Sequence, residues 1–129
     1  MTRIIIVEDN PIAASVFRAT LAREGHTVTV VTDGEAGLAA IEQTHPDLVL
    51  LDLMLPKVSG LDVLRRMRAT PELAHVPVIV TSNSYTSARL DELWQAGATQ
   101  VITKASMTPK ELVRIVRETL GQVAATQAL

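Results

Sequence analysis

Five residues that could do chemistry together follow short aliphatic runs: Glu8, Asp9, Asp52, Thr81 and Lys104. Three carboxylates in one site repel one another unless a cation neutralises them. An all-oxygen set of this kind suits Mg²⁺, which accepts a few carboxylates together with water and phosphate oxygens. An aspartate beside such a metal can act as a nucleophile toward phosphorus, with the hydroxyl and the ammonium bound to the phosphoryl oxygens. These residue types therefore predict metal-dependent phosphoryl chemistry, provided that the fold brings them together.

The elements that must position these residues are five β-branched runs alternating with helix-length segments. The predicted strands cover residues 4–7, 28–31, 48–51, 78–80 and 101–102. Their apolar residues are continuous rather than alternating, which is typical of parallel strands covered on both faces. The pattern predicts an α/β fold, a flavodoxin-like three-layer (βα)5 domain with a five-stranded parallel sheet in the order 2-1-3-4-5. Strands 1, 3, 4 and 5 are then neighbours, so the five residues converge at one edge of the sheet.

Capping residues and apolar spacing predict the five helices. Asn10 caps the first, which ends at Glu24-Gly25 and has an apolar stripe at Ile12, Val16, Phe17 and Leu21. The next three are predicted at residues 36–41, 59–67 and 87–94. The fifth begins at the capping box Thr108-Pro109-Lys110-Glu111, followed by a stripe at Leu112, Ile115, Val116 and Leu120.

Composition limits the class of protein. With 129 residues and 47% hydrophobic content, the chain suits one domain, predicted at 1–121, followed by a C-terminal tail at 122–129. The absence of cysteine excludes thiol catalysis and disulfides. A net charge of −2 and an aromatic content of 2% give no reason to expect nucleic-acid binding. No run is long enough to span a membrane, so we expect a cytoplasmic protein without membrane or nucleic-acid partners.

Four motifs in order resemble the receiver domains of two-component response regulators. They are Val7-Glu8-Asp9-Asn10; Leu51-Asp52-Leu53-Met54-Leu55-Pro56 with Gly60; Val80-Thr81-Ser82; and Ala96-Gly97-Ala98 with Thr103-Lys104. The resemblance covers nearly the whole chain, and the four motifs together are highly specific. It implies that Asp52 accepts a phosphoryl group from a histidine kinase or a phosphotransfer protein. The chain would then be a signalling switch rather than an enzyme, although family members catalyse their own phosphorylation and dephosphorylation.

The same resemblance assigns roles to the remaining site residues. It implies that Asp9 and Asp52 bind Mg²⁺, or alternatively Mn²⁺, with the backbone carbonyl of Met54 as a further ligand and Glu8 acting through water. Thr81 would hydrogen-bond the phosphoryl group. Lys104 would pair with that group and report it to the face formed by helix 4, strand 5 and helix 5. A homodimer through that face is the assembly that the resemblance suggests, and the downstream target or fused effector stays unidentified.

Two positions depart from the family pattern. Val101 stands where receiver domains usually carry an aromatic switch residue, and Ala105 stands where a proline usually follows the lysine. A cis peptide before alanine is costly, so we expect a trans bond at that position. Phosphorylation chemistry is expected to survive both changes, but the usual coupling of threonine and aromatic rotamers is not, and Tyr85 is a weak candidate to substitute for it.

Three other functions remain open from the sequence. A Mg²⁺-dependent phosphatase could use Asp52 as nucleophile, but Met54 occupies the position of its usual second acid. A receiver-fold interaction domain that works without phosphate would suit Val101 and Ala105. An FMN-binding flavodoxin-like protein is disfavoured by the acidic edge.

Overall fold

Five strands and five α-helices alternate along the chain, as predicted. The computed structural model describes residues 2–128, with only the backbone described for residues 122–128. The elements are β1 (Arg3–Val7), α1 (Pro11–Arg23), β2 (Thr27–Val31), α2 (Gly34–Thr44), β3 (Leu48–Asp52), α3 (Gly60–Ala69), β4 (Val78–Ser82), α4 (Ser87–Gln95), β5 (Gln100–Thr103) and α5 (Pro109–Ala128). A short 3₁₀ turn, Lys104–Ser106, precedes α5 and was not predicted.

The strands form one parallel sheet in the order β2-β1-β3-β4-β5, which confirms the predicted fold. Every connection between neighbouring parallel strands needs a crossover, and the helices supply it. β1, β3 and β4 lie inside the sheet, and β5 forms one edge. The carboxyl ends of these strands are aligned, because Asp52 pairs with Thr81 and Thr81 pairs with Ile102.

Alternate residues of each strand divide the core into two clusters, one on each face of the sheet. On one face, Ile4 and Ile6 belong to a cluster that contains Phe17 of α1 and Val116 of α5. On the other face, Ile5 and Val7 belong to a larger cluster that α2, α3 and α4 cover. Both faces of the central strands are therefore buried, which explains their continuous apolar runs.

The first helix matches its predicted cap but only half of its predicted apolar stripe. The Asn10 side chain accepts hydrogen bonds from the backbone N–H groups of Ile12 and Ala13, and Phe17 and Leu21 are buried. Ile12 and Val16, however, are 76% and 45% exposed, so the buried side of the helix includes only part of the predicted apolar stripe. Their spacing is helical, but the side of α1 that packs on the sheet is the one with Ala14, Phe17 and Leu21.

The capping box of α5 forms only in part. Thr108 Oγ1 accepts a hydrogen bond from the Glu111 N–H at 3.1 Å, as predicted, but the Glu111 carboxylate binds Arg114 instead of returning to the cap. Leu112 and Val116 are buried, and Ile115 and Leu120 are partly buried against the same core cluster, which confirms the predicted stripe. The helix continues to Ala128, residue 129 lies outside the described part, and the boundary at residue 121 stays a prediction. Among the described residues, no helix is both long and apolar enough to cross a bilayer.

Candidate functional site

The ends of β1 and β3 bring three carboxylates together. Glu8 and Asp9 follow β1 directly, and Asp52 is the last residue of β3. One carboxylate oxygen from each of the three lies within 4.8 Å of the others. Glu8 and Asp52 are almost fully buried, at 1% and 4% exposure, whereas Asp9 is exposed. The acidic cluster predicted from the sequence is therefore present at the predicted sheet edge.

Lys104, immediately after β5, completes this cluster. Its Nζ lies 2.5 Å from Glu8 Oε1 and 3.2 Å from Asp52 Oδ2. Burial lowers the pKa of Lys104, but hydrogen bonds and charge attraction from Glu8 and Asp52 outweigh this effect and raise it. Lys104 is therefore a firmly protonated ammonium between two buried carboxylates.

The buried position of Asp52 carries an electrostatic cost. Burial and the charge of Glu8 raise the pKa of Asp52 from 3.8 to about 6, and Lys104 offsets this only in part. Near neutral pH the carboxylate is still mainly ionised, although its environment opposes the charge. A site of this kind gains free energy from any further cation that reaches the three carboxylates.

Backbone contacts orient the two buried acids. The Asn10 N–H donates to Glu8 Oε2 at 3.0 Å, and the Met54 N–H donates weakly to Asp52 Oδ1 at 3.4 Å. Gly60 lets the start of α3 approach this point, because a Cβ there would lie 2.2 Å from the Asp52 carbonyl oxygen. The role of Asn10 in holding Glu8 was missed from the sequence, where a cap was its only predicted role.

The donor set fits a divalent cation. Glu8 Oε1 is buried, and among the described residues the Lys104 ammonium is its one polar contact. Glu8, Asp9 and Asp52 offer only oxygen atoms, the ligands that Mg²⁺ prefers. Met54 lines the same cleft and is 73% exposed, which is compatible with a backbone ligand from this loop.

Thr81 lies beside the acids on the neighbouring strand. It pairs in register with Asp52 and is 1% exposed. Among the described residues its hydroxyl has no hydrogen-bond partner, so it is available as a donor to a group added at Asp52. The structure thus brings together all six residues that the sequence singled out.

An open cleft leads from solvent to Asp52. Its rim includes residues of the four segments that follow β1, β3, β4 and β5: Asn10 with the first residues of α1 (Pro11, Ile12 and Ala13), Met54, Asn83 and Ala105. Ile12, part of the predicted apolar stripe of the first helix, is exposed at this rim. The Lys104–Ala105 peptide is trans, as expected.

Three arginines of α3 lie away from this site. Arg65 and Arg66 are exposed on α3, as expected of a solvated helix face. Arg68, on the same helix, is half-buried instead, and its guanidinium donates to the carbonyls of Gly97 and Val76 at 3.0 and 2.7 Å. It holds the α3–β4 and α4–β5 loops together, a contact that helical spacing does not reveal.

Comparison with known protein families decides what this arrangement is. The family model of the response regulator receiver domain matches residues 4–117. The chain belongs to this family. The acidic cluster, Thr81 and Lys104 all lie within the matched range of the receiver domain.

Individual relatives agree with this assignment. The DNA-binding response regulator MtrA of Mycolicibacterium smegmatis is 37% identical over 118 residues, which are 92% of this chain and 50% of MtrA. A CheY-like receiver domain protein from Methanospirillum hungatei JF-1 is 25% identical, with a TM-score of 0.91 over 98% of both chains. The receiver domain of sensor histidine kinase PA1611 from Pseudomonas aeruginosa PAO1, with a magnesium ion in its active-site cleft, is 31% identical. Its TM-score is 0.85 over 93% of this chain and 98% of that one.

This receiver domain spans about half the length of its regulator relative MtrA. The similarity therefore concerns the receiver part of such proteins. The family model and these relatives therefore show that this chain is a receiver domain of the two-component signal transduction family.

Proposed function

We propose that this receiver domain accepts a phosphoryl group on Asp52, in a Mg²⁺-dependent reaction, from a histidine kinase or a phosphotransfer protein. The observation that carries the proposal is the geometry at the ends of β1, β3 and β5. Three carboxylates lie within 4.8 Å of one another, and the Lys104 ammonium lies 3.2 Å from Asp52 Oδ2. Joint placement of this kind is what phosphoryl transfer to a carboxylate requires.

In the proposed step, a carboxylate oxygen of Asp52 forms a bond to phosphorus. The phosphorus–nitrogen bond of the donor's phosphohistidine breaks, and its electron pair leaves with the imidazole, which takes up a proton. Lys104 and the Thr81 hydroxyl bind the phosphoryl oxygens and stabilise their negative charge. Lys104 already contacts Asp52, and the Thr81 hydroxyl is unpartnered among the described residues, so neither has to cross the site.

Asp9 and Asp52 would hold the Mg²⁺ ion directly, with the Met54 backbone carbonyl, and Glu8 would act through water. The bound ion supplies electrostatic stabilisation of the transferring phosphoryl group. Support comes from the all-oxygen donor set and from the magnesium ion of the PA1611 receiver domain. Mn²⁺ has similar ligand preferences and is the alternative cation.

The partner would approach through the open cleft, whose rim carries the exposed side chains of Ile12 and Met54. The composition of the chain gives no reason for nucleic-acid contact by this domain itself, and a cytoplasmic location follows from the proposed role. A homodimer through α4, β5 and α5 remains a prediction. The target or effector that reads the switch is left unassigned.

Intact-protein mass spectrometry after incubation with acetyl phosphate or phosphoramidate tests the proposal. We expect one phosphoryl adduct with Mg²⁺, none with EDTA, and none in Asp52→Ala. Asp91→Ala, which removes an exposed acid of α4, is the matched control and should be labelled like the wild type. Undiminished labelling of Asp52→Ala would remove Asp52 as acceptor. No adduct with any donor would favour the interaction domain that works without phosphate, the function that Val101 and Ala105 suggest.

A further inference from the structure

Tyr85, the only tyrosine of the chain, joins the two strands that carry Thr81 and Lys104. It lies in the loop between β4 and α4, and its hydroxyl donates to the Ile102 carbonyl at 2.5 Å and lies 3.3 Å from the Val80 carbonyl. Val80 directly precedes Thr81, and Ile102 stands two residues before Lys104. One half-buried side chain therefore contacts, through its hydroxyl, the backbone next to both predicted phosphoryl donors.

The ring of Tyr85 also belongs to the packing of the sheet. It packs against the core cluster on the α2–α3–α4 face, and so does the half-buried Val101 on the edge strand. Valine is much smaller than an aromatic residue, and Tyr85 is a large ring brought to the same cluster from another segment. The ring thus links the β4–α4 loop to the edge strand β5.

The charge of Asp52 affects the pKa of the Tyr85 hydroxyl. The pKa of Tyr85 is raised to about 12: burial raises it most, the bond to Ile102 lowers it in part, and the charge of Asp52 adds a smaller rise. The hydroxyl therefore lies close enough to Asp52 to feel a change of charge there. A phosphoryl group would add negative charge at that point and would draw on Thr81 and Lys104 as donors.

Resting on the phosphorylation proposed for Asp52, we propose that Tyr85 is a positioning residue whose hydroxyl bond to Ile102 is lost when Thr81 and Lys104 bind a phosphoryl group on Asp52. The bond holds the β4–α4 loop in the arrangement that the structure shows. Its loss frees the loop and the start of α4, which is capped at Thr86. Tyr85 acts through the backbone of β4 and β5 and not by contact with the phosphoryl group.

Thermodynamic linkage makes the proposal measurable. A bond present in the empty site and absent in the occupied site opposes occupancy by its own net contribution. One hydrogen bond of ordinary strength corresponds to about fivefold in affinity. Tyr85→Phe, which keeps the ring, should therefore bind beryllium fluoride, a phosphoryl mimic, about fivefold more tightly at saturating Mg²⁺. A merely structural bond, present in both forms, would leave this affinity unchanged.

Calorimetric titration with beryllium fluoride compares the wild type with Tyr85→Phe and a control, Thr119→Val. Thr119 also donates from a buried hydroxyl to a backbone carbonyl, that of Ile115, but on α5 away from the site. We expect tighter binding in Tyr85→Phe alone. Equal affinities for the wild type and Tyr85→Phe would overturn the proposal.

A second measurement needs no variant of Tyr85. Tyrosine labelled with carbon-13 at Cζ, the carbon that bears the hydroxyl, gives one signal in this chain. That signal should shift when beryllium fluoride and Mg²⁺ are added to the wild type, and should stay in place in Asp52→Ala. Wild-type binding with an unmoved signal would overturn the role of Tyr85 and leave Asp52 as acceptor. No binding by the wild type would overturn both proposals.

Discussion

Strands β3 and β5 each lead to a charged residue of the site, yet they differ in nearly every other respect. β3 lies in the centre of the sheet, all five of its residues are buried, and it ends at Asp52. β5 lies at the edge, all four of its residues are half-buried, and Lys104 follows it. The proposed acceptor thus stands on a fully buried central strand, and the proposed phosphoryl partner follows a half-buried edge strand.

This difference suits a switch. Phosphoryl transfer needs the nucleophile and metal ligands held in place before the donor arrives, which a strand buried on both faces provides. A response to phosphorylation needs an element that can move at small cost, and regions with little buried apolar contact supply it. The edge strand, the loop that carries Tyr85, and α4 meet that second requirement.

The largest expected effect concerns the charge of the Asp52 carboxylate at the end of β3. With its pKa raised to about 6, the folded chain binds the Asp52 proton more tightly than the unfolded chain does. Stability from this group is therefore lost as pH rises from about 4 to about 6, and above that range the charge destabilises the fold by about 3 kcal/mol. Asp52→Asn in EDTA should accordingly be more stable than the wild type at pH 7.

Urea unfolding of both proteins between pH 4 and pH 7 checks this. The stability difference should grow with pH and should largely vanish near pH 4, where both side chains are neutral. Asp91→Asn, at an exposed position on α4, should show no such dependence. A difference that stays constant with pH would mean that the buried charge is not its cause.

The sequence predicted the central β3 side of the site far better than the β5 side at the edge of the sheet. Continuous runs such as residues 48–51 identify buried parallel strands, and strand order then fixes where Asp52, Glu8 and Asp9 meet. On the β5 side, the predicted strand covered only residues 101–102, and the 3₁₀ turn Lys104–Ser106 was missed. Tyr85 was only a weak candidate to replace the aromatic switch residue. Contacts such as Tyr85 with Ile102 depend on loop geometry, which no residue periodicity encodes.

Helix faces show the same limit. The spacing of Ile12 and Val16 is helical, and both are nevertheless exposed, because periodicity gives a stripe and not the side that meets the sheet. Arg68 is the opposite case, because this charged residue is half-buried and its guanidinium donates to backbone carbonyls of the α3–β4 and α4–β5 loops.

A paired truncation measures the packing difference directly. Val80 of β4 is fully buried and pairs in register with the half-buried Val101 of β5. Val80→Ala should cost about 2 kcal/mol of unfolding free energy, because it removes buried methyl groups and leaves a cavity. Val101→Ala should cost less than about 1 kcal/mol, because solvent already reaches that side chain.

Denaturant unfolding of the two variants under one set of conditions gives both values. Equal losses would show that β5 is as tightly packed as the centre of the sheet. The contrast on which the proposed role of Tyr85 partly depends would then be gone.

The smallest expected effects are changes in the affinity for Mg²⁺, and they have opposite directions for the acidic cluster and for Lys104. Asp9 is a proposed direct ligand, so Asp9→Ala should weaken Mg²⁺ binding about tenfold or more. The Lys104 ammonium, by contrast, lies 2.5 Å from Glu8 Oε1 and 3.2 Å from Asp52 Oδ2, so its positive charge opposes the binding of a second cation there. Lys104→Met should therefore tighten Mg²⁺ binding by about threefold, a modest change because Lys104 is partly exposed and screened. Calorimetric titration of both variants decides the matter: weaker binding in each would make Lys104 part of the support of the metal site rather than a competitor for its charge.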